Sequence, residues 1–348
     1  MLCNLGQMNL FFDDTHLKEN LYPFAECRNV ADIRVGILSI REKWERLLSA
    51  ANFDKSAFIK INAGIIPTKN SFISIANNGE PVLQDDLEQS RNLNFPWEIF
   101  QLNDWAIRKD FEWITAGRIS QPIPASNTVI SPENIFIEEG AIVTCSIINA
   151  AEGPVYIGKN ATIMEGSLIR GPVAICEGAV LKMGAKVYAA TTIGPYCIAG
   201  GEIKNSVLFG YSNKAHDGYL GDSVIAEFCN LGAGTSNSNI KNTASTVKFW
   251  LNALKVFEPV GLKAGLLMGD YSRAAINTSF NTGTVVGLCC NVFGNGFPPK
   301  FVPSFTWGDE RYEFNKAIRD INNWMQLKNK KITQKEIEIL KYLYKQST

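Results

Sequence analysis

The sequence has no excess charge of either sign: 34 lysines and arginines stand against 34 aspartates and glutamates. That balance removes the electrostatic case for a nucleic acid or an anionic membrane as partner, so any phosphate must be met by a few placed side chains. No apolar run approaches the roughly 18 residues of a membrane span. Residues 1–12 also lack the basic start, apolar block and cleavage site of an export signal. Histidine is scarce, with only His16 and His216, and no Cys-x-x-Cys occurs, so no structural metal site is expected. The eight cysteines are scattered, and Cys176, Cys197, Cys229 and Cys290 fall at positions of the repeat described next. They read as small buried thiols of a reducing, cytoplasmic compartment.

With 348 residues, 46% of them hydrophobic, the chain is long enough for two domains and a large core. What organises it is a period of six. Ile157, Ile163, Ile169, Ile175, Leu181, Val187 and Ile193 recur in one phase, each followed four positions on by Ala161, Ser167, Val173, Ala179, Ala185, Thr191 or Cys197. Neither a helix (3.6) nor a strand (2) asks for that period, so the hexad itself is the structural unit. The expected fold is mainly β: a left-handed parallel β-helix of triangular coils, with aliphatic residues stacked inside. Gly158, Gly166, Gly178 and Gly184 are expected at corners where a Cβ would clash. Met268, Ala274, Phe280, Val286 and Val292 form a second run in phase, so the coils resume after an interruption.

Around this core the expected division is 1–95, a small α/β unit; 96–132, a helical linker with Asp104 as a cap; 133–305, the β-helix with an excursion at 241–260; and 306–348, helices. Residues 9–14 read as a strand, 33–51 as an apolar stretch running into a helix, and 71–83 as a hairpin around Asn77-Asn78-Gly79. The excursion, with Phe249, Trp250, Phe257 and Pro259, is placed to wrap a neighbouring subunit. Helices are expected over 309–327 and 333–345, the second opening with a Thr333-x-x-Glu336 capping box. The hexad phase breaks after Ile193, and chemistry is expected there, since departures from a repeat mark where a fold leaves its cheapest packing.

Residues 201–239 carry Glu202-Ile203-Lys204-Asn205-Ser206, His216 through Asp222, Asn230 through Thr235, and Asn239. In type and spacing this block resembles the acetyltransferase half of the bifunctional N-acetylglucosamine-1-phosphate uridyltransferase/glucosamine-1-phosphate acetyltransferases. Phe12-Asp13-Asp14, Leu21-Tyr22-Pro23, Arg28 and the segment 30–44 resemble the N-terminal domain of GlmU-like sugar nucleotidyltransferases. The likeness to that GlmU-like family extends through 163–172, 209–214 and Phe297-Pro298-Pro299-Lys300.

The resemblance implies an acyltransferase moving an acetyl group from acetyl-CoA, as co-substrate, to an amino-sugar phosphate. His216 would be the general base; an imidazole titrates near 6.5, and a positioned base is worth about 10² to 10⁴ in rate. Asn230 and Asn239 would orient the amine and the acetyl carbonyl, and Tyr219 and Lys204 the sugar phosphate. Lys182 stands where that family has a phosphate-gripping Arg, and it keeps the charge without the bidentate fork. Ser245 occupies the place of a lysine near CoA, for which Lys241 or Lys248 would substitute. A homotrimer with sites between subunits is also implied. The alternative activity is nucleotide transfer, with Asp13, Asp14, Arg28, Arg34 and Lys43 around a triphosphate and Mg²⁺; against it, the Gly-rich triphosphate loop is absent. A non-catalytic sugar-nucleotide scaffold is the third reading.

Overall fold

The computed structural model describes residues 9–50, 58–71, 73–75, 81–83 and 90–347. From Thr128–Ile130 to Thr306–Trp307, apart from the excursion between the two coil runs, short strands follow one another, parallel to the strand one coil earlier. Three columns result. The first face stacks Ile135–Ile137, Val155–Ile157, Val173–Ile175 and Thr191–Ile193. The second stacks Ile142–Val143, Thr162–Ile163, Val180–Leu181 and Ile198–Ala199. The third stacks Thr128–Ile130, Ile147–Asn149, Leu168–Arg170 and Lys186–Val187. This is the parallel β-helix that the hexads predict.

All seven aliphatic hexad residues from Ile157 to Ile193 are at most 2% exposed, and their fourth-position partners are fully buried. Each of the seven aliphatic residues contributes about 1.5–3 kcal/mol of burial, so the repeat is the main source of stability in this part of the chain. The corner glycines serve two different ends. Gly184 has φ +70 and open space on the side where a Cβ would stand, so it answers a left-handed backbone requirement rather than a clash. Gly158 has ordinary φ, but a Cβ there would lie 2.7 Å from the Cys176 carbonyl carbon, so it answers close packing.

The first face is buried on both sides: Val207, Val224, Leu267 and Val285, which alternate with interior residues, are all fully covered. What covers them is the N-terminal unit and the helices α1 (Ile40–Ala50), α2 (Glu98–Gln101) and α3 (Asn103–Thr115), which share one apolar core with the coils. Asn103 donates to the Ala190 carbonyl at 2.8 Å, and the Thr192 hydroxyl donates to the Gly36 carbonyl at 3.0 Å. The 96–132 segment is thus packed along the coils over its helical part. Asp104 is not the cap: Leu102 holds that position, and Asp104 lies in the first turn, bonded to Arg108 at 2.7 Å.

In the N-terminal unit, Asn9–Asp13 pairs in parallel with Phe58–Asn62, and Ile73–Ile75 pairs with Pro81–Leu83 as a hairpin whose Asn77-Asn78-Gly79 turn lies outside the described residues. The 241–260 excursion is an antiparallel pair, Val247–Leu251 with Val256–Gly261. It closes on its own chain through Phe249 stacked on Trp97 (6.2 Å) and Trp250 on Phe301 (4.7 Å).

The C-terminal helices α4 (Phe314–Gln326) and α5 (Gln334–Gln346) cover the edge between the first and second faces. The first begins later than the sequence suggests, because Thr306–Trp307 and Glu310–Arg311 pair as strands and Glu313 caps it; Thr333 and Glu336 form the expected capping box. Face three is left bare, with Ile130, Ile147 and Leu168 each more than 40% exposed. All cysteines among the described residues are free thiols, and no helix among them is long and apolar enough to cross a membrane.

Candidate functional site

The phase break has a simple structural content. Between the second and third faces one coil crosses with four residues, Lys182, Met183, Gly184 and Ala185, whereas the next crosses with Gly200 and Gly201 alone. The coil above crosses at 215–218, which carries an exposed His216. The corners touch directly: a Cβ on Gly200 would lie 2.5 Å from the Ala215 carbonyl and 3.3 Å from Lys182 Cβ, and one on Gly201 would lie 2.8 Å from the His216 carbonyl. Along this edge the tightly stacked Gly200-Gly201 corner, which carries no side chain, therefore separates Lys182 from His216.

Beside the edge, on the bare third face, Lys204 is exposed and in register with Gly221. The Tyr219 hydroxyl lies 2.2 Å from where a Gly221 Cβ would be, so only glycine lets the phenol lie over the backbone next to Lys204. Asn239 donates to that hydroxyl at 3.0 Å and to the Asp222 carboxylate at 2.5 Å. Asn205 donates to the other Asp222 oxygen at 2.7 Å. Asp222 is buried, so its two oxygens are met by two amides, as a buried carboxylate requires. Burial, and then the Asp222 charge, push the Tyr219 phenol up to about 12. Near neutral pH it keeps its proton and serves as a neutral donor.

The structure thus brings His216, Lys182, Lys204, Tyr219 and Asn239 to one edge and the adjoining face. Asn230 is not with them in this chain. It lies on the second face, where Asn213 donates to it at 3.5 Å and Arg273 is the next rung. Asn205 and Asp222 lie within the 202–206 and 216–222 motifs, but their pairing across a coil corner is a contact between residues 17 apart, outside any local pattern. Lys214, buried just before His216, was also missed.

The N-terminal candidates do not converge. Asp13 pairs with Lys60 at 2.9 Å and is held well below the usual carboxylate range by the Thr15 hydroxyl first and then Lys60. Asp14 accepts from the Val30 N–H at 3.2 Å. Arg28 turns to the β-helix, bonded to Asp270 at 2.6 Å and Glu227 at 3.2 Å. Arg34 donates to the Ile37 carbonyl and pairs with Glu42. Lys43 is buried in an ion pair with Asp110, so the expectation of a cation free to hold a triphosphate fails there for want of access. Among the described residues no group of three or more His, Cys, Asp or Glu is placed to hold a metal ion.

Residues 9–60 match the family model for sugar nucleotidyl transferase. A bifunctional sugar-1-phosphate nucleotidylyltransferase/acetyltransferase of Sulfurisphaera tokodaii is 26% identical over 80% of this chain and 68% of its own length. A bifunctional protein GlmU of Methanocaldococcus jannaschii is 31% identical over 56% of this chain and 41% of its own, and one of Methanococcus maripaludis is 26% identical over 77% and 64%. The chain therefore spans between 41% and 68% of the length of these relatives. A solved UDP-N-acetylglucosamine acyltransferase aligns at 13% identity over 65% of this chain and 81% of its own, with a TM-score of 0.27, too low to bear on fold or chemistry. By sequence, the chain is similar to bifunctional GlmU-like proteins over part of their length, and a segment that matches the sugar nucleotidyl transferase model precedes its β-helix.

Proposed function

We propose that the β-helix transfers an acetyl group from acetyl-CoA to the amine of a sugar phosphate. The observation that carries this reading is the edge where an exposed His216 stands across the Gly200-Gly201 corner from Lys182, with Lys204, Tyr219 and Asn239 on the adjoining face. In the reaction the sugar amine attacks the thioester carbonyl, the N–C bond forms and the C–S bond breaks. His216 takes the proton lost by the nitrogen, and CoA leaves as the thiol. Lys182 and Lys204 provide positive charge for the sugar phosphate, and the protonated Tyr219 provides a hydrogen bond.

The same reading assigns the bare third face to neighbouring copies in a homotrimer, since Ile130, Ile147 and Leu168 are left without cover. Nucleotide transfer by the N-terminal unit remains the alternative, favoured by the family match over residues 9–60. Against it, Arg28 and Lys43 are committed to carboxylates of the same chain.

The deciding assay is thiol release from acetyl-CoA with a panel of amino-sugar 1-phosphates. Release that His216→Ala lowers by about 10² or more supports the reading. Release untouched by that change, or Mg²⁺-dependent pyrophosphate exchange in its place, refutes it. Leu168→Glu should convert a trimer to monomers in sedimentation; a wild-type monomer would remove the shared-site element.

A further inference from the structure

Lys214 stands where the fold calls for an aliphatic residue. On the second face it is in register with Ala199, which follows Leu181 and Ile163 in the same interior column. All are buried, and Lys214 is 1% exposed. A cation in that column is costly unless its donors are met.

The coil beneath explains why it is there. The four-residue corner 182–185 sends Ala185 into the prism, whereas the Gly200-Gly201 corner sends nothing. Lys214, buried in the next coil, extends its four-carbon stem to this corner. Its ammonium donates to the Gly200 carbonyl at 3.2 Å and to the His216 carbonyl. These two carbonyls belong to the shortened corner and to the corner stacked on it. From inside, one side chain fastens the His216 corner to the glycine corner below.

We propose that Lys214 is a positioning residue for His216, an internal strut that fixes where the imidazole stands above the Gly200-Gly201 corner. This rests on the reading of His216 as the base. Lys214 touches only protein, so it is expected to act on the placement of the base rather than on substrate affinity. A displacement of about 1 Å at a catalytic group costs on the order of 10² in rate.

The test uses Lys214→Met, which keeps the stem and removes the ammonium, and Lys214→Gln, which keeps a donor on a shorter stem and is read if the first does not fold. Melting reports folding. The imidazole NMR signal of His216 reports its placement, and it is assignable because the chain has two histidines and His16→Gln removes the other. Thiol release from acetyl-CoA with glucosamine-1-phosphate reports turnover. The expected result is a folded Lys214→Met with a shifted, heterogeneous His216 signal, kcat lower by about 10 to 10², and KM for acetyl-CoA within about twofold. A folded variant with an unshifted signal or with wild-type kcat overturns the proposal. If the wild type releases no thiol, or if His216→Ala releases it normally, the reading of His216 as base fails instead. The imidazole signal then still decides whether Lys214 holds that residue in place.

Discussion

Asn239 divides its amide between the Asp222 carboxylate and the Tyr219 hydroxyl, and so couples a buried charge at a coil corner to a phenol on the open face. With Asn205 on the second oxygen, Asp222 has both acceptors used by amides from the adjacent coils. Asp222→Asn leaves one of those amides facing another N–H. The expected cost is about 1–3 kcal/mol of stability, measured by urea unfolding. Turnover should fall as well, since Tyr219 and Asn239 lose their common anchor. A variant as stable and as active as wild type would show that the carboxylate is not what orders this face.

Lys43 and Asp110 form an ion pair with both side chains at most 2% exposed, and Asp110 also accepts the N–H groups of Ile37 at 2.8 Å and Leu38 at 3.0 Å. It joins α1 to α3 and to the segment lying on the first face. Lys43→Met strands the carboxylate and should destabilise by about 3–5 kcal/mol. Lys43→Met/Asp110→Asn, with no charge left behind, should recover part of that loss. If the single and double variants unfold at the same urea concentration, the pair is not the source of the cost.

The fold was legible because each hexad must put one aliphatic side chain inside, and a period of six survives in any surface sequence. The Lys43–Asp110 pair was not, because its partners are 67 positions apart and a lysine in a charged helix reads as a surface residue. The edge between the first and second faces was hidden for another reason. Tyr196, Tyr211, Phe228 and Tyr271 all have φ between +54 and +61, a region that favours glycine and asparagine, which Gly178 and Asn160 supply earlier in the same run. Their rings stack at 4.8–5.8 Å, and ring pairs of this kind are worth about 0.5–1.5 kcal/mol, which offsets part of the about 1–2 kcal/mol that each left-handed residue costs. The candidate edge itself was half legible. Resemblance to a family motif pointed to His216, Tyr219 and Asn239, but the short Gly200-Gly201 crossing beneath the buried Lys214 appears only once the coils are stacked.

Burial lowers the Lys214 pKa to about 8, with Asp217 opposing the shift. In the unfolded chain a lysine titrates near 10.4. Between about pH 8 and 10.4 the unfolded state therefore holds a proton that the native state has released, and stability should rise with pH across that window. Below pH 8 both states carry it, and no slope arises from this group. The difference in urea midpoint between wild type and Lys214→Met, followed from pH 7 to 10, isolates the contribution from the buried thiols that titrate higher. A difference that stays flat would mean that the ammonium keeps its proton inside the prism.

Arg273 occupies the second face between Asn230 and Asn291, beneath α4, where its guanidinium lies 5.1 Å from the Trp324 ring. It is buried, burial lowers its pKa, and its Nε and Nη2 have no hydrogen-bond partner among the described residues. A ring face attracts a cation, but desolvating a guanidinium without a carboxylate costs more than that contact returns. Arg273→Met, similar in reach and apolar, should therefore hold or raise stability, by as much as about 1–4 kcal/mol in urea unfolding. A clear loss instead would mean that the Nε and Nη2 edge, the side on which guanidinium grips an oxyanion, is satisfied in solution by water or an anion under α4. Adding inorganic phosphate separates those two cases, because only a bound anion makes the wild-type melting temperature rise with phosphate concentration while that of Arg273→Met does not.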